Sequence, residues 1–324
     1  MASATQRARD KRRIPAMNRG NKDRTRSMGR GLGYAACCLA GVFWSLGFFL
    51  GKVAFTRLSV DAFVLYRFLF ACAALLLVVE RPRFSGRDWT TLLVASFFGI
   101  PVQFLVQFYG LHMTTVSHAA LMVGTMPVIL AAGATLFSHE RLDLHGWLAV
   151  AGSTAGIALI ILSTSRHVLG GGSIEGDLLV IAAMFIALVW ILGNQKLMRR
   201  GHSPMAVTVW GLLTGTAMLA AWVLVRDGLP PVHGVGLKVW VAVAGSGLLC
   251  TAAATLLWNW GIHHVPASRA GVFLNIEPAV GAILGVEVLG DRLGAGTWIG
   301  GALIIAAAVV LTTTGRGEQE APVG

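Results

Sequence analysis

The feature that most constrains this chain is a series of ten apolar stretches that together occupy most of its length. A helix needs about 20 apolar residues to cross the hydrocarbon core of a membrane, and each stretch is too long for a β-strand. Lipid offers the backbone no hydrogen-bonding partner, so helix is the expected conformation. The stretches run over residues 33–53, 61–80, 89–110, 117–137, 145–165, 176–195, 204–226, 237–262, 267–289 and 295–313. The sequence therefore predicts an all-α integral membrane protein with ten transmembrane helices.

The composition agrees with a membrane environment. Of 324 residues, 55% are hydrophobic and 13% are charged, whereas a soluble domain carries about 25% charged residues. The 40 glycines suit a membrane bundle, where small residues let helix backbones approach closely. Four cysteines lie inside apolar stretches and lack the spacing of metal ligands, so we predict buried small side chains and neither a metal site nor a cofactor.

The formal net charge of +11 is concentrated at the N-terminus, where ten basic residues precede Leu32 and only Asp10 and Asp23 oppose them. A basic segment ahead of an apolar span is typical of a cytoplasmic terminus, so the charge does not indicate a nucleic-acid partner. We predict that residues 1–31 form a basic cytoplasmic tail that is disordered.

The positive-inside rule orients the remaining spans. Basic residues follow the second, sixth and tenth stretches, namely Arg81, Arg83, Arg87, Lys196, Arg199, Arg200 and Arg316. Mild exceptions near the predicted outer ends are Arg226, Lys238 and Arg292. This pattern predicts a multi-pass protein of a bacterial inner membrane with both termini in the cytoplasm. Residues 167–175 then form a periplasmic linker, and residues 315–324 form a cytoplasmic tail.

An internal repeat appears when the chain is displaced by 151 residues. The identical pairs include Trp89 with Trp240, His112 with His263, Pro127 with Pro278 and Trp147 with Trp298. Such residue types rarely match by chance, so the sequence predicts two repeats, over residues 32–166 and 176–314, of five spans each. Because five is odd, the second repeat must be inverted in the membrane, as in many secondary transporters. A binding site is then expected near the midplane, where the repeats meet.

Two segments of the chain resemble a known family. Residues 114–142 read TTVSHAALMVGTMPVILAAGATLFSHERL, and residues 265–293 read VPASRAGVFLNIEPAVGAILGVEVLGDRL. Their small residues, mid-helix proline and acidic-Arg-Leu ending resemble the EamA-type branch of the drug/metabolite transporter superfamily. The Trp-Ser-Leu-Gly sequence at 44–47 and Arg67 in the second span are similar to the same family. Met126 departs from the pattern, because the second repeat has Glu277 there; a pair of carboxylates is therefore not expected.

The resemblance implies a bundle of ten helices, in two inverted repeats, that moves small solutes across the membrane. Within the family, the chain looks most similar to bacterial amino-acid exporters, including those for aromatic amino acids. We therefore expect export of amino acids or similar small metabolites by alternating access. Efflux of cationic drugs, or uptake of another small solute by the same fold, is the alternative.

Polar and aromatic side chains at mid-membrane depth are the candidates for substrate contact, because such groups are costly in lipid unless they face a cavity or a partner. Gln103 and Gln107 share one helix face, and hydrogen bonding between helices is the alternative for them. Ordinary packing is the alternative for Trp258, Met122 and Phe273. The predicted substrate-binding residues are Trp44, Tyr66, Gln103, Gln107, Met122, Trp190, Asn194, Trp258, Asn259 and Phe273.

Glu277 is the sharpest single prediction. A carboxylate in mid-helix is expensive unless it is protonated or paired. Glu277 is therefore a candidate for coupling transport to protons, and a structural ion pair with Arg67 or Lys52 is the alternative.

A polytopic membrane enzyme is disfavoured. The chain has no Gly-x-Ser-x-Gly or His-Glu-x-x-His motif and no paired catalytic carboxylates. The expected partners are the lipid bilayer and a small-molecule substrate, and the sequence leaves the oligomeric state open.

Overall fold

The computed structural model describes residues 17–80, 83–138, 144–166, 172–264 and 271–314. Within these ranges the regular structure is helical and contains no β-strand, as predicted. Seven helical segments of the described chain are long and apolar enough to cross a membrane, and Val116–Leu130 and Ala295–Val310 are shorter apolar helices. The prediction of an all-α membrane protein is confirmed, and the number of long apolar helices is smaller than the ten stretches of the sequence.

The helices follow one another through the two halves of the chain. The first half contains α1 (Met17–Ala54), α2 (Val60–Leu75), α3 (Gly86–Phe97), α4 (Gln103–Met113), α5 (Val116–Val123), α6 (Met126–Ser138) and α7 (Leu144–Arg166). The second half contains α8 (Ile174–Arg199), α9 (Pro204–Arg226), α10 (Leu237–Gly247), α11 (Ala254–His264), α12 (Ile276–Leu289) and α13 (Ala295–Thr314). Hydroxyl side chains at several N-termini accept a backbone N–H and cap the helix, namely Ser59, Ser85, Thr115, Ser173 and Ser203.

Helix α1 begins earlier than the sequence predicts. Its first residue is Met17, so residues 17–31, which were expected to belong to a disordered tail, are helical. Adding a residue to an existing helix costs far less than starting one. The apolar part of α1 therefore allows the helix to continue into the basic segment, and the cytoplasmic location of that segment stays a prediction.

Four interruptions divide spans that the sequence predicts as continuous. A π-helical turn, Phe98–Val102, joins α3 to α4, and another, Leu248–Ala253, joins α10 to α11. The fourth predicted span is divided between α5 and α6, and the ninth opens with a 3-10 turn, Gly271–Asn275. Prolines at 127 and 278 follow the last two interruptions, and proline removes a hydrogen bond and clashes with the preceding turn. The predictions of uniform helices over 117–137 and 267–289 are therefore wrong.

The tightest helix pairs join the two halves of the chain. Helix α1 packs on α11, α8 on α4, α12 on α5 and α13 on α7. Where α7 crosses α13, a Cβ atom at Gly156 or Gly300 would lie 2.6 or 2.5 Å from the carbonyl oxygen of the other glycine. Small residues permit this close approach. The centre of the bundle is thus built from both halves.

One contact pattern occurs twice. Tyr66 of α2 meets Trp240 edge-to-face with ring centroids 5.0 Å apart, and Trp210 of α9 meets Trp89 in the same way at 5.8 Å. The Tyr66 hydroxyl donates to the carbonyl of Pro230 at 3.0 Å, and Trp210 Nε1 donates to that of Glu80 at 2.8 Å. The two patterns make α2 and α9 corresponding helices in the two halves.

Candidate functional site

The most unusual group in the bundle is a buried arginine. Arg67, on α2, is 5% exposed, and its Nε donates to Thr251 Oγ1 at 2.8 Å. Thr251 belongs to the π-helical turn Leu248–Ala253 of the other half and donates in turn to the carbonyl of Ser246 at 3.2 Å. The guanidinium carbon lies 5.4 and 5.1 Å from the ring centroids of Phe104 and Phe108, within the range of a cation–π interaction. The structure therefore holds a positive charge among aromatic rings between the halves.

Glu277, on α12, lies near this charge without forming an ion pair with it. Arg67 and Glu277 interact electrostatically, but the described residues contain no contact between them within the 4.0 Å limit of an ion pair. Lys52 forms no ion pair with Glu277 in the described chain either, and its Nζ donates to the carbonyl of His112 at 3.4 Å. The structure thus places Glu277 beside a cation and leaves its carboxylate without a direct partner in the described part of the chain.

Two indoles lie together across α1 and α11. The rings of Trp44 and Trp258 are 5.5 Å apart at an angle of 53°, and both residues are half-buried. Phe273 packs beside Trp258 around Cys37. The structure therefore brings together three of the aromatic residues that the sequence assigns to the substrate site.

Gln103 and Gln107 lie elsewhere. Both are buried, and Gln103 Nε2 donates to Gln107 Oε1 at 3.3 Å. They share a face of α4 with Gly110, where a Cβ atom would lie 2.7 Å from the carbonyl oxygen of Gly176 on α8. Their mutual hydrogen bond lies within α4, so it is not the bond between helices that was the alternative, and a role in substrate binding stays a prediction.

Trp190 lies in a helix interface rather than beside Trp44. A Cβ atom at Gly99 would lie 2.6 Å from Trp190 Cβ, and one at Gly211 would lie 2.5 Å from its ring. The indole therefore fills the space between α8, α9 and the turn Phe98–Val102. Asn194, one helical turn further along α8, is 9% exposed, and its Oδ1 has no hydrogen-bond partner among the described residues.

The remaining predicted residues are separate from the two indoles or only adjacent to them. Met122 is completely buried in the main apolar core. Asn259 follows Trp258, and its buried Nδ2 has no hydrogen-bond partner in the described chain. Tyr66 contacts the segment after α9 through Pro230, so its hydroxyl group lies toward one end of the bundle.

At the same end of the bundle, a polar network joins the two halves. Asp291 accepts hydrogen bonds from the backbone N–H of Ser117 at 3.0 Å and from its hydroxyl at 2.8 Å. Asp177 accepts one from Thr114 Oγ1 at 2.6 Å and lies 3.0 Å from His118 Nδ1. These contacts, which we call the Asp291 network, tie α5 to α8 and α12.

A second polar network joins the halves at the opposite end. Asp88 of α3 accepts hydrogen bonds from Ser85 at 2.7 Å and from Arg200 Nη1 at 2.5 Å, and it lies 3.1 Å from His202 Nε2. We call these contacts the Asp88 network. With polar contacts at both ends, the group around Arg67 lies between two sets of links that join the same two halves.

The sequence analysis missed several residues that surround Arg67. It named Arg67 only through the family resemblance and as a possible partner of Glu277, although a basic residue inside an apolar stretch was a signal in itself. Thr251, Phe104 and Phe108 carried no such signal, because threonine and phenylalanine are ordinary residues of apolar helices.

Comparison with known proteins identifies the family. The sequence profile of the EamA-like transporter family matches the chain twice, over residues 31–162 and 174–313. The chain belongs to this family. Membership in the EamA-like family confirms a multi-pass membrane protein and a transporter rather than an enzyme, and it implies a small-molecule substrate.

Similar proteins carry transporter names without a stated cargo. One from Archaeoglobus fulgidus, named an uncharacterized transporter, is 27% identical over 85% of this chain and 95% of its own length. The uncharacterized transporter YyaM of Bacillus subtilis is 25% identical over 85% of this chain and 90% of its own. A crystal structure with 18% sequence identity superposes with a TM-score of 0.61, covering 91% of this chain and 99% of the other. At that identity the likeness is one of fold.

Proposed function

We propose that this EamA-family protein is a secondary transporter that exports amino acids or similar small metabolites across a bacterial inner membrane. The observation that carries the proposal is the central group of Arg67, Glu277, Trp44 and Trp258, which comes from both halves of the chain. A cation, a carboxylate and a pair of indoles at one level of the bundle suit a small zwitterion with an apolar side chain. Glu277 is the proposed group for proton coupling.

The proposed membrane arrangement has ten spans in two five-helix repeats of opposite orientation. It is supported by the double match of the family profile and by the 151-residue offset, under which Trp89 matches Trp240. The basic segments place the Asp88 network at the cytoplasmic end and the Asp291 network at the periplasmic end. Both termini are then cytoplasmic.

Alternating access follows from this arrangement. Opening the central group to the cytoplasm requires the contacts of Asp88 to break, and opening it to the periplasm requires those of Asp291 and Asp177 to break. Two inverted repeats can exchange such conformations about a fixed site. The substrate would therefore meet the same residues from either side in turn.

Reconstitution tests the cargo. Purified protein in liposomes is supplied with a panel of labelled amino acids and with a cationic dye, and protein-free liposomes serve as the control. Saturable amino-acid flux that unlabelled amino acid competes away supports the proposal. Flux of the dye alone contradicts it and indicates a cationic cargo, and absence of flux for the whole panel also counts against it.

A further inference from the structure

We infer that the two terminal nitrogens of Arg67 bind an oxyanion of the substrate, the carboxylate in the case of an amino acid. The identity of the cargo rests on the proposed function, whereas the oxyanion site rests on the geometry around Arg67. The carboxylate and other oxyanions such as phosphate share the chemistry that a guanidinium recognises, and the experiment below separates them.

The guanidinium of Arg67 has donors that no residue of the described chain uses. A guanidinium presents five N–H donors in a fixed fork. In the described chain, Nε donates to Thr251, whereas Nη1 and Nη2 donate to no other residue. The side chain is nevertheless 5% exposed. Neither nitrogen is among the fully buried polar atoms that lack a partner in the described chain. Both therefore reach the small space left open at this side chain, where an oxyanion can accept their hydrogen bonds.

Neighbouring residues fix the orientation of the guanidinium of Arg67. The bond from Nε to Thr251 fixes one edge of the guanidinium, and Phe104 and Phe108 lie 5.4 and 5.1 Å from its central carbon. The terminal nitrogens face α1 at Gly47, where a Cβ atom would be 3.5 Å from Nη1 and 3.7 Å from Nη2. Glycine presents no side chain to the fork, and a carboxylate binds such a fork through two parallel hydrogen bonds.

Arg67 has a counterpart in the second half of the chain. Helices α2 and α9 both begin after a capping serine, Ser59 and Ser203. Counting from these caps, Tyr66 corresponds to Trp210, in agreement with their equivalent ring contacts. The next residue along each helix makes Gly211 the counterpart of Arg67.

The counterpart site is closed by an indole. Trp190 lies so close to Gly211 that a Cβ atom there would be 2.5 Å from the ring. In the first half the guanidinium of Arg67 is present instead, and Trp44 pairs with Trp258 at 5.5 Å. The fold therefore does not require a charge at this position. The charge occurs in one half, which gives the site a polarity and the substrate one orientation.

Glu277 and the indoles supply the other contacts of a zwitterion. The carboxylate of Glu277 interacts electrostatically with Arg67 without touching it, so it can accept a substrate ammonium group while Arg67 holds the carboxylate. Trp44 precedes Gly47 by three residues and lies on the same side of α1. Its ring and that of Trp258 are positioned for the apolar side chain of the substrate.

The test compares L-phenylalanine, which has a carboxylate and an ammonium group, with ligands that have only one of these groups and with inorganic oxyanions. Thermal stabilisation of the purified full-length wild-type protein is measured with L-phenylalanine, 3-phenylpropionate, phenethylamine, phosphate and sulfate. The inference predicts that oxyanion-bearing ligands stabilise the protein and that phenethylamine, which lacks a carboxylate, binds about 30-fold more weakly or worse than L-phenylalanine. The inference would be overturned if phenethylamine and L-phenylalanine stabilised the protein equally. It would also be overturned if none of the oxyanion-bearing ligands stabilised the protein.

Substitutions at Arg67 test the same point by selectivity. Arg67→Gln should weaken oxyanion binding by about 30-fold or more and abolish the preference for L-phenylalanine over phenethylamine. Arg67→Lys, which keeps the charge and loses the fork, should be intermediate. Arg57→Gln, the same change at an exposed arginine, should bind as wild type does. An unchanged preference in Arg67→Gln contradicts the inference, and so does a parallel loss of both ligands.

The outcomes separate this inference from the proposed function. If only phosphate or sulfate stabilises the protein, and Arg67→Gln loses this stabilisation, the result supports the oxyanion site and contradicts an amino-acid cargo. If Arg67→Gln transports amino acids at the wild-type rate, the result supports the amino-acid cargo and contradicts the oxyanion site at Arg67. Gel filtration and melting temperature show whether Arg67→Gln folds. If it does not, the ligand series with the wild-type protein and with Arg67→Lys still tests whether Arg67 binds an oxyanion.

Discussion

Arg67 and Gly211 occupy corresponding positions of α2 and α9, yet their surroundings differ. Around Gly211, the Trp190 ring fills the interface, and Gly99 of the nearby π-helical turn makes room for it. Around Arg67, the equivalent turn contributes the hydroxyl of Thr251 as an acceptor. The difference teaches that the backbone of each half provides the same scaffold. The volume and charge of a few side chains then set the different surroundings of the two positions.

The largest expected effect comes from removing the Trp190 ring, which packs against Gly211. Trp190→Ala should lower the free energy of unfolding by about 3 kcal/mol, because it opens a cavity between α8 and α9. Trp44→Ala is the control. Both rings are half-buried, but Trp190 lies against Gly99 and Gly211 in a helix interface, whereas Trp44 contacts another indole, so Trp44→Ala should cost less than half as much. Melting temperatures in detergent measure both, and equal losses would show that the two indoles play the same part.

Adding a methyl group at a glycine tests how much space lies beside Trp190 and beside Arg67. Gly99→Ala places a methyl group 2.6 Å from Trp190, and such overpacking should cost about 2 kcal/mol of stability. Gly47→Ala places one 3.5 Å from Arg67 Nη1, an ordinary contact, so the melting temperature should barely change. A large loss of stability in Gly47→Ala would show that the contact between α1 and Arg67 is as tight as the contact between Gly99 and Trp190.

Coupling to protons is tested at Glu277. Glutamine cannot take up a proton, so Glu277→Gln should abolish the response of transport to a pH gradient while exchange of cargo remains measurable. For one proton per cargo molecule, a gradient of about one pH unit should raise wild-type accumulation about tenfold. Glu287→Gln, a change at an exposed residue of the same helix, is the control and should respond as wild type does. A gradient response that persists in Glu277→Gln removes this residue from the coupling role.

The smallest expected effect separates two positions that the 151-residue offset equates, Trp258 and Gln107. Trp258→Ala should lower the rate of transport severalfold at unchanged membrane yield, because it removes one ring of the central pair. Gln107→Ala should change transport little, because Gln107 bonds to Gln103 in the contact between α4 and α8. Initial rates in liposomes, normalised to reconstituted protein, provide the comparison. Normal transport by Trp258→Ala would show that the indole pair is not part of the site.

The sequence predicted the helices well because their signal is local. Stretches of about 20 apolar residues have few alternatives in lipid, and the match of Trp89 with Trp240 predicted the repeat, which the two matches of the family profile support. The interruptions were harder to predict. Pro127 and Pro278 indicated two of them, and Pro101 lies inside the π-helical turn at 98–102, so a local signal existed there as well. The π-helical turn at 248–253 contains no proline and had no such signal.

The site could be predicted only in part for a related reason. Trp44 and Trp190 have nearly identical local sequences, Trp-Ser-Leu-Gly and Trp-Ile-Leu-Gly, so the chain gave no ground for treating them differently. What separates them is the residue opposite, Gly211 for Trp190 and Arg67 in the corresponding place of the other half. Contacts between helices that are far apart in sequence set this difference, and no local pattern reports them.

The central claim, a carrier that exposes one site alternately to each side of the membrane, is tested most directly by counterflow. Liposomes containing the protein are loaded with unlabelled amino acid, diluted into a trace of the labelled amino acid, and followed over time. The account predicts a transient accumulation of label above equilibrium in wild type. It also predicts a much reduced accumulation in Arg67→Gln and an unchanged one in Arg57→Gln. Label that rises only to equilibrium in loaded liposomes, or does not enter them, would contradict the account.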